Sequence, residues 1–261
     1  MITFEQLMQA TTHPRVASLN TGAFSPDDIA NIILQRSEIL GDQRRPGQAI
    51  KAWSEGNEAP VREFVEKMGD TLVRRAAAII WLEYLELKPT IDTLSPKSVA
   101  DIGCGYSFFD LFLWQDHAAS VLLIDIETSE ERHFGFKKRG AAYSNLNVAQ
   151  RFLEANGVAR SDIACCNPDE ADLSAEKPVD LAVSFISCGF HYPVETYLDF
   201  FRNGVKPSGA VILDVRSRKL EEATKFLQDL GDVSVLTKSA HGKADRIMVA
   251  KQPPASGTQH G

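Results

Sequence analysis

The spacing of apolar residues divides the chain into two parts near residue 95. Before that point, apolar residues recur every three or four positions, which is the period of a helix with one buried face. Ser25 followed by Pro26 marks a helix start, with serine as the N-cap and proline in the first helical position. A later helix is expected to bend at Gly69 and to end at Pro89. The sequence therefore predicts a helical N-terminal cap or lid over residues 1–95.

From residue 96 onward, short apolar runs alternate with helical patterns. This alternation is typical of a parallel sheet whose crossover helices cover both faces. The last two runs are joined by a short polar stretch without a helix, so the final strand is expected to be antiparallel to its partner. The predicted strands are 98–102, 120–125, 163–166, 180–186, 210–215, 233–237 and 246–251, with helices near 107–116, 143–156, 193–203 and 218–230.

The predicted fold class is α/β, with a Rossmann-like sheet of seven mostly parallel strands and an antiparallel last strand. This core is expected over residues 96–252, behind the helical cap. The residues that follow, 253–261, are small and polar and are expected to form a disordered tail.

Composition limits the partners and the location. The chain has 28 lysines and arginines against 35 aspartates and glutamates, and its formal net charge of −7 disfavours nucleic acid as a partner. The first residues show no signal-peptide pattern, and no apolar stretch is long enough to cross a membrane. The four cysteines lack zinc-site spacing, so we interpret them as small apolar residues in a reducing compartment. We therefore expect a cytoplasmic protein without a membrane partner.

The most informative segment is Asp101-Ile102-Gly103-Cys104-Gly105, where the first predicted strand runs into a turn and then a helix. Glycines belong where a chain turns sharply and a ligand presses on bare backbone. The dinucleotide fingerprint G-x-G-x-x-G needs a third glycine, and Phe108 stands at that position, which disfavours NAD and FAD. The next strand ends in Asp125, whose carboxylate can accept hydrogen bonds from both hydroxyls of a ribose. Glu127 is the alternative acid for this role.

These residues resemble motif I of class I S-adenosylmethionine-dependent methyltransferases, E/D-x-G-x-G-x-G, with Ser107 in the place of the last glycine. The run Val205-Lys206-Pro207-Ser208-Gly209 is similar to the L-K-P-G-G turn of that family, and residues 178–184 are similar to its F-D-L-V strand. The resemblance covers about residues 95–251, including the terminal hairpin. It implies a methyltransferase that uses S-adenosylmethionine as its cofactor.

The resemblance also implies which residues bind the cofactor. The glycines would pass under its methionine and ribose parts, Asp101 would hold its amino group and Asp125 its ribose diol. Asp169 would reach the adenine amine, with Asp172 as an alternative and a plain turn as the competing interpretation. The full predicted set is Asp101, Gly103, Gly105, Ser107, Asp125, Asp169 and Ser187.

The acceptor site should contain a base if the acceptor is a hydroxyl, because the proton must leave as the new bond forms, whereas an amine need only be neutral. His191 follows the fourth strand, at the sheet edge where open α/β sheets bind ligands, and is the first candidate. Packing against the cofactor is the competing interpretation. His133 and Tyr143 lie in a long insertion, which is expected to be a lid over the acceptor or a solvated loop. No acid ends the fourth strand, so we expect no metal.

A narrower resemblance concerns the acceptor. The runs H-F-G-F at 133–136 and S-F-I-S-C-G-F-H-Y-P at 184–193 are similar to sugar O-methyltransferases of bacterial polysaccharide clusters, a family named by inference. This implies a small-molecule acceptor with a hydroxyl, sugar-like or a secondary metabolite. N-methylation of a small amine, an NAD-dependent reductase and a non-catalytic cofactor-binding protein stay open as alternatives. The N-terminal helices could also pair two subunits in a homodimer.

Overall fold

Seven strands form one sheet. The computed structural model describes residues 2–126, 145–240 and 243–252. The strands are β1 Ser98–Ile102, β2 Ser120–Ile124, β3 Ile163–Cys166, β4 Val179–Ser184, β5 Val205–Arg216, β6 Gly231–Ala240 and β7 Ala244–Lys251. Their order across the sheet is β3-β2-β1-β4-β5-β7-β6, and all neighbours among the first five are parallel. β7 is antiparallel to both β5 and β6, which confirms the predicted fold class.

The strand order reverses between β1 and β4. The chain moves outward from β1 to β3 and then returns to the other side of β1. Connections on the two sides of such a switch point diverge, and the crevice between them is where open α/β sheets bind ligands. The carboxyl ends of β1 and β4 are therefore the expected place for a site.

Helices precede β1 over most of the N-terminal segment. They are α1 Phe4–Thr11, α2 Pro14–Ala17, α3 Pro26–Gln35, α4 Pro46–Ser54, α5 Ala59–Met68 and α6 Asp70–Leu94. Ser25 caps α3 as expected: its hydroxyl accepts from the Asp28 N–H, and the Asp28 carboxylate accepts from the Ser25 N–H. Gly69, where a bend within one helix was predicted, instead separates two helices, α5 and α6.

The predicted helix end at Pro89 is wrong, since α6 continues through it to Leu94. Proline removes one backbone N–H and leaves the carbonyl four residues earlier without its helical partner. Both Pro89 and Leu85 are exposed, so water can replace the lost hydrogen bond. The apolar face of α6 stays packed on the core over its whole length, which outweighs the local cost.

The two faces of the sheet carry separate apolar cores. The later helices are α7 Phe108–His117, α8 Leu146–Ala155, α9 Leu198–Asn203 and α10 Leu220–Leu227. The larger core joins the N-terminal helices to α7, α8 and one face of the sheet, whereas α9 and α10 pack on the other face. Tyr84 of α6, fully buried, lies 5.7 Å from Phe109 of α7 between ring centroids. The N-terminal helices are thus continuous with the core of the sheet domain.

Among the residues that the structure describes, no helix is both long and apolar enough to cross a membrane. His133, Tyr143 and the tail 253–261 lie outside the described residues.

Candidate active site

A cavity of about 1100 Å³ lies at the carboxyl ends of the central strands. Residues of α3 and α6 line it together with the loops that follow β1, β2, β3 and β4. It brings together six of the predicted cofactor residues and the predicted base: Asp101, Gly103, Gly105, Asp125, Asp169, Ser187 and His191. Asp172, the alternative to Asp169, also lines it. Residues far apart in the sequence therefore share one wall at the switch point of the sheet.

The glycine turn after β1 requires its glycines. Gly103 and Gly105 have φ angles of 75° and 57°, in the left-handed region that residues with a Cβ rarely adopt. A Cβ on Gly103 would lie 2.0 Å from the Ser187 Oγ and 2.5 Å from its Cβ. The turn after β1 and the turn after β4 thus pack closely together, because the Ser187 side chain occupies the space that a side chain at Gly103 would need.

Asp125 is held by the same turn. Its Oδ2 accepts a hydrogen bond from the Gly105 N–H at 3.0 Å, and its Oδ1 accepts one from the Ile126 N–H at 2.8 Å. A carboxylate has about four acceptor positions, and these two bonds fix the orientation of its two oxygens. Because Asp125 lines the cavity at the end of β2, it can present both oxygens to a pair of ligand hydroxyls.

Ser107 is the one predicted cofactor residue that the structure does not place on the cavity wall. It is buried and precedes α7, with φ 60° and ψ 29°, the left-handed conformation that a glycine would adopt at no cost. A residue with a Cβ adopts it at a cost of roughly 1–2 kcal/mol. The turn therefore keeps the shape of a glycine-rich loop although its last glycine is replaced.

Phe108 occupies the position of the third glycine in a dinucleotide-binding loop. Its ring lies 5.0 Å from Phe152 and 5.7 Å from Phe24, measured between centroids. This aromatic cluster fills the space in which a dinucleotide-binding helix would pack closely on its strand. The packing agrees with the expectation that NAD and FAD are disfavoured.

Beneath the turn, two carboxyl groups share a buried site. Asp101 is 4% exposed and Asp110, in the first turn of α7, is 0% exposed. The Asp101 side chain, the Ser107 hydroxyl and the Asp110 N–H all lie close to the Asp110 carboxyl and act to lower its pKa, against the effect of burial. Burial, and then the charge of the neighbouring Asp110, raise the pKa of Asp101 well above its usual range; burial raises the pKa of Asp110 to about 7. The pair therefore retains a proton at pH values where free carboxyls have lost theirs.

This proton makes stability depend on pH in a predictable direction. The folded protein binds more protons than the unfolded chain between pH 4, near the ordinary carboxyl pKa, and about 7, so stability falls as pH rises through that window. In Asp110→Asn, the amide N–H donates a hydrogen bond to the Asp101 carboxylate, so the pair no longer needs to bind a proton. We therefore expect the variant to be more stable than the wild type at pH 8 by about 1–3 kcal/mol. At pH 4.5 the gain should vanish. Denaturant unfolding at both pH values tests this, and parallel pH profiles would contradict it.

The turn after β4 positions His191. The His191 N–H donates to the Ser187 carbonyl at 2.8 Å, and the Ser187 hydroxyl lies 2.9 Å from the Tyr192 hydroxyl. The Phe190 ring packs edge-on against the imidazole, with centroids 5.1 Å apart, and the Arg216 guanidinium covers the Phe190 ring at 4.3 Å. Backbone and aromatic contacts thus hold His191 on the cavity wall.

Four charged residues near the cavity were missed by sequence reasoning. Arg36 binds Glu83 through two hydrogen bonds of 2.7 and 3.0 Å, and Arg246 binds Asp214 through two of 2.7 and 2.9 Å. Arg36, Glu83 and Arg246 line the cavity, and Asp214 is fully buried behind Arg246. We call these four residues the buried charge cluster.

Both arginines of the cluster stay ionised although they are buried. Burial alone would lower the pKa of Arg36, but the carboxylate of Glu83 more than reverses this, and the resulting pKa lies above the usual arginine range. For Arg246, burial also acts to lower the pKa, and Asp214 raises it above the usual value. A signal was present in the sequence: Glu83 interrupts the apolar stripe of α6, and Asp214 interrupts the apolar run of β5.

Comparisons with known proteins support the fold. No family model and no curated protein matches the sequence. A solved structure from Nostoc punctiforme PCC 73102, provisionally assigned as an O-methyltransferase, is 12% identical with a TM-score of 0.50, over 69% of this chain and 59% of that chain. The chain has the class I methyltransferase fold.

Other solved structures with this methyltransferase fold are less similar in shape. The S-adenosylmethionine-dependent methyltransferase SibL is 16% identical, with a TM-score of 0.48, over 86% of this chain and 73% of that chain. An O-methyltransferase family protein from Burkholderia thailandensis is 11% identical, with a TM-score of 0.45, over 69% of this chain and 60% of that chain. The match spans only about three fifths of the Nostoc and Burkholderia proteins, 59% and 60%.

Proposed function

We propose that this protein transfers a methyl group from S-adenosylmethionine to a hydroxyl of a small polar acceptor, sugar-like or a secondary metabolite. The observation that carries the proposal is one continuous cavity that contains both the glycine turn with Asp125 and the candidate base His191. A cofactor held at the turn and an acceptor beside the histidine would therefore meet within the same enclosure. The expected partners are small molecules, and the expected location is the cytoplasm.

The residues of the turn fit the cofactor. Asp125 would accept the ribose hydroxyls, because both its oxygens are oriented by backbone N–H groups. Gly103 and Gly105 would let the ligand approach bare backbone, and Asp101 would hold its amino group through water or the backbone. Asp169 or Asp172 would flank the adenine. When bound, S-adenosylmethionine supplies a methyl group on a positively charged sulfur, which is already activated for transfer.

The acceptor would lie between the turn after β4 and the N-terminal helices. We propose that residues 1–95 act as its cap, because α3 and α6 supply one wall of the cavity. His191 would accept the hydroxyl proton as the new bond forms. His133 and Tyr143, in the insertion after β2, are proposed as further acceptor-binding groups on the basis of the sequence.

Methylation of a small amine is the second candidate function. It differs from methylation of a hydroxyl because a neutral amine needs no base. We expect His191→Gln to lower kcat for a hydroxyl acceptor by about 100-fold or more, because a positioned base contributes roughly 10²–10⁴-fold. The variant should bind S-adenosylmethionine with unchanged affinity. The measurement is transfer of a tritiated methyl group to a panel of hydroxyl and amine acceptors.

The control for this experiment is His13→Gln, which changes an exposed histidine that does not line the cavity. Unchanged turnover of a hydroxyl acceptor by His191→Gln would show that the histidine only packs against the ligands. Turnover of amines alone would favour N-methylation. Cofactor binding without turnover of either class would favour a non-catalytic binding protein of the same fold.

A further inference from the structure

The buried charge cluster is too costly to be explained by stability alone. Removing an ion pair from water costs more than its attraction usually returns, and apolar residues of similar size are often at least as stable. Arg246 and Asp214 are 1% and 0% exposed, and Glu83 is 6% exposed. Since three members of the cluster also line the cavity, contact with a ligand explains the presence of these buried charges better than stability does.

The two ion pairs lie close enough to influence one another. Glu83 adds to the electrostatic stabilisation of Arg246, and Asp214 adds to that of Arg36. The four charges of the cluster sum to zero. An anion at this surface would meet the carboxylate of Glu83 as well as the two guanidinium groups, and would lose its hydration without a net attraction.

A neutral hydroxyl matches this surface better than an anion does. One hydroxyl both donates and accepts, so it can bridge a carboxylate oxygen and a guanidinium N–H. The aromatic rings of Phe185 and Phe109, 4.7 Å apart between centroids, stand beside the cluster, and Arg246 lies 4.8 Å from the Phe185 ring centroid. The two rings are tilted by 59° to one another and give the cavity an apolar wall against which a ring can pack. Lys243 also lines the cavity, but it is exposed, where its charge is screened.

We propose that the buried charge cluster is the acceptor-recognition site, that it selects a neutral, ring-shaped, polyhydroxylated acceptor over its carboxylated counterpart, and that Glu83 sets this preference. The proposal rests on the proposed function, because the cavity is taken to hold a methyl acceptor. Glu83 is the deciding residue because it neutralises Arg36 on the cavity wall. Without the carboxylate of Glu83, Arg36 would keep only its longer contact with the exposed Glu38, 3.6 Å away, and would present more positive charge to the ligand.

The test measures binding rather than turnover. Protein loaded with S-adenosylhomocysteine is titrated in a calorimeter with two matched pairs: methyl β-D-glucoside and methyl β-D-glucuronate, then catechol and 3,4-dihydroxybenzoate. In the pair that binds, the wild type should prefer the neutral member by tenfold or more. Glu83→Gln should shift the ratio toward the carboxylated member by tenfold or more. Glu66→Gln, the same change at an exposed position of α5, should leave the ratio unchanged.

A double variant guards against a purely structural role. Arg36→Met with Glu83→Met replaces the ion pair by apolar groups, and should fold, bind S-adenosylhomocysteine and lose affinity for both members of the pair. Equal affinities in the wild type, an unchanged ratio in Glu83→Gln, or binding of none of the four probes would overturn this inference alone. Failure to bind S-adenosylhomocysteine would overturn the proposed function and this inference with it.

Discussion

Replacing Asp125 by alanine is expected to weaken S-adenosylmethionine binding by at least about 100-fold. Each hydrogen bond from a ligand hydroxyl to a carboxylate contributes roughly 1.5–3 kcal/mol, and two are lost together. The change also removes the acceptor of the Gly105 N–H, which helps to hold the glycine turn in its shape. Calorimetric titration of the variant with the cofactor measures the effect.

The control for Asp125→Ala is Asp229→Ala, which makes the same change of charge at an exposed position after α10. This control should bind the cofactor like the wild type. If Asp125→Ala retained wild-type affinity while its unfolding midpoint stayed the same, the ribose would have to lie elsewhere. The placement of the cofactor at the end of β2 would then be wrong.

Replacing Gly103 by alanine is expected to have the second large effect, on stability as well as on binding. The new Cβ would lie 2.5 Å from the Ser187 Cβ, a distance that real side chains do not reach, and the φ of 75° adds backbone strain. We expect a loss of about 2–4 kcal/mol in the free energy of unfolding, which is typical of overpacking combined with a strained backbone. Denaturant unfolding measures it.

The double variant Gly103→Ala with Ser187→Gly isolates the steric cause. Without the serine side chain, the nearest Ser187 atom is its Cα at 3.9 Å from the new Cβ, an ordinary contact. The loss should then shrink to about 1–2 kcal/mol, the cost of the left-handed backbone. Additive effects of the two changes would contradict the close contact between the turns after β1 and β4.

The predictable parts of the structure were those that depend on short segments. Alternating apolar runs and helices predicted a mostly parallel sheet, and the link without a helix before β7 predicted the antiparallel direction of that strand. Asp101, the glycine turn and Asp125 could be placed together because the carboxyl ends of parallel strands meet at one edge. The cap at Ser25 and an interruption at Gly69 were predictable because helix capping and backbone freedom are local properties.

The features that the sequence did not reveal depend on contacts between distant residues. Arg36 and Glu83 are 47 positions apart, and Asp214 and Arg246 are 32 apart, so no local spacing links them. Pro89 failed as a helix end because its solvent exposure, which makes it tolerable, is a tertiary property. The buried charge cluster was therefore the part of the cavity least accessible to prediction from the sequence.

Binding of S-adenosylmethionine is the property on which the proposed function depends, and calorimetry can measure it directly. Purified wild-type protein is titrated calorimetrically with S-adenosylmethionine and, separately, with NADH. We expect saturable binding of S-adenosylmethionine at one site per chain and no binding of NADH, because Phe108 fills the space that a dinucleotide-binding loop leaves for its third glycine. Binding of NADH in preference, or no binding of S-adenosylmethionine, would contradict it.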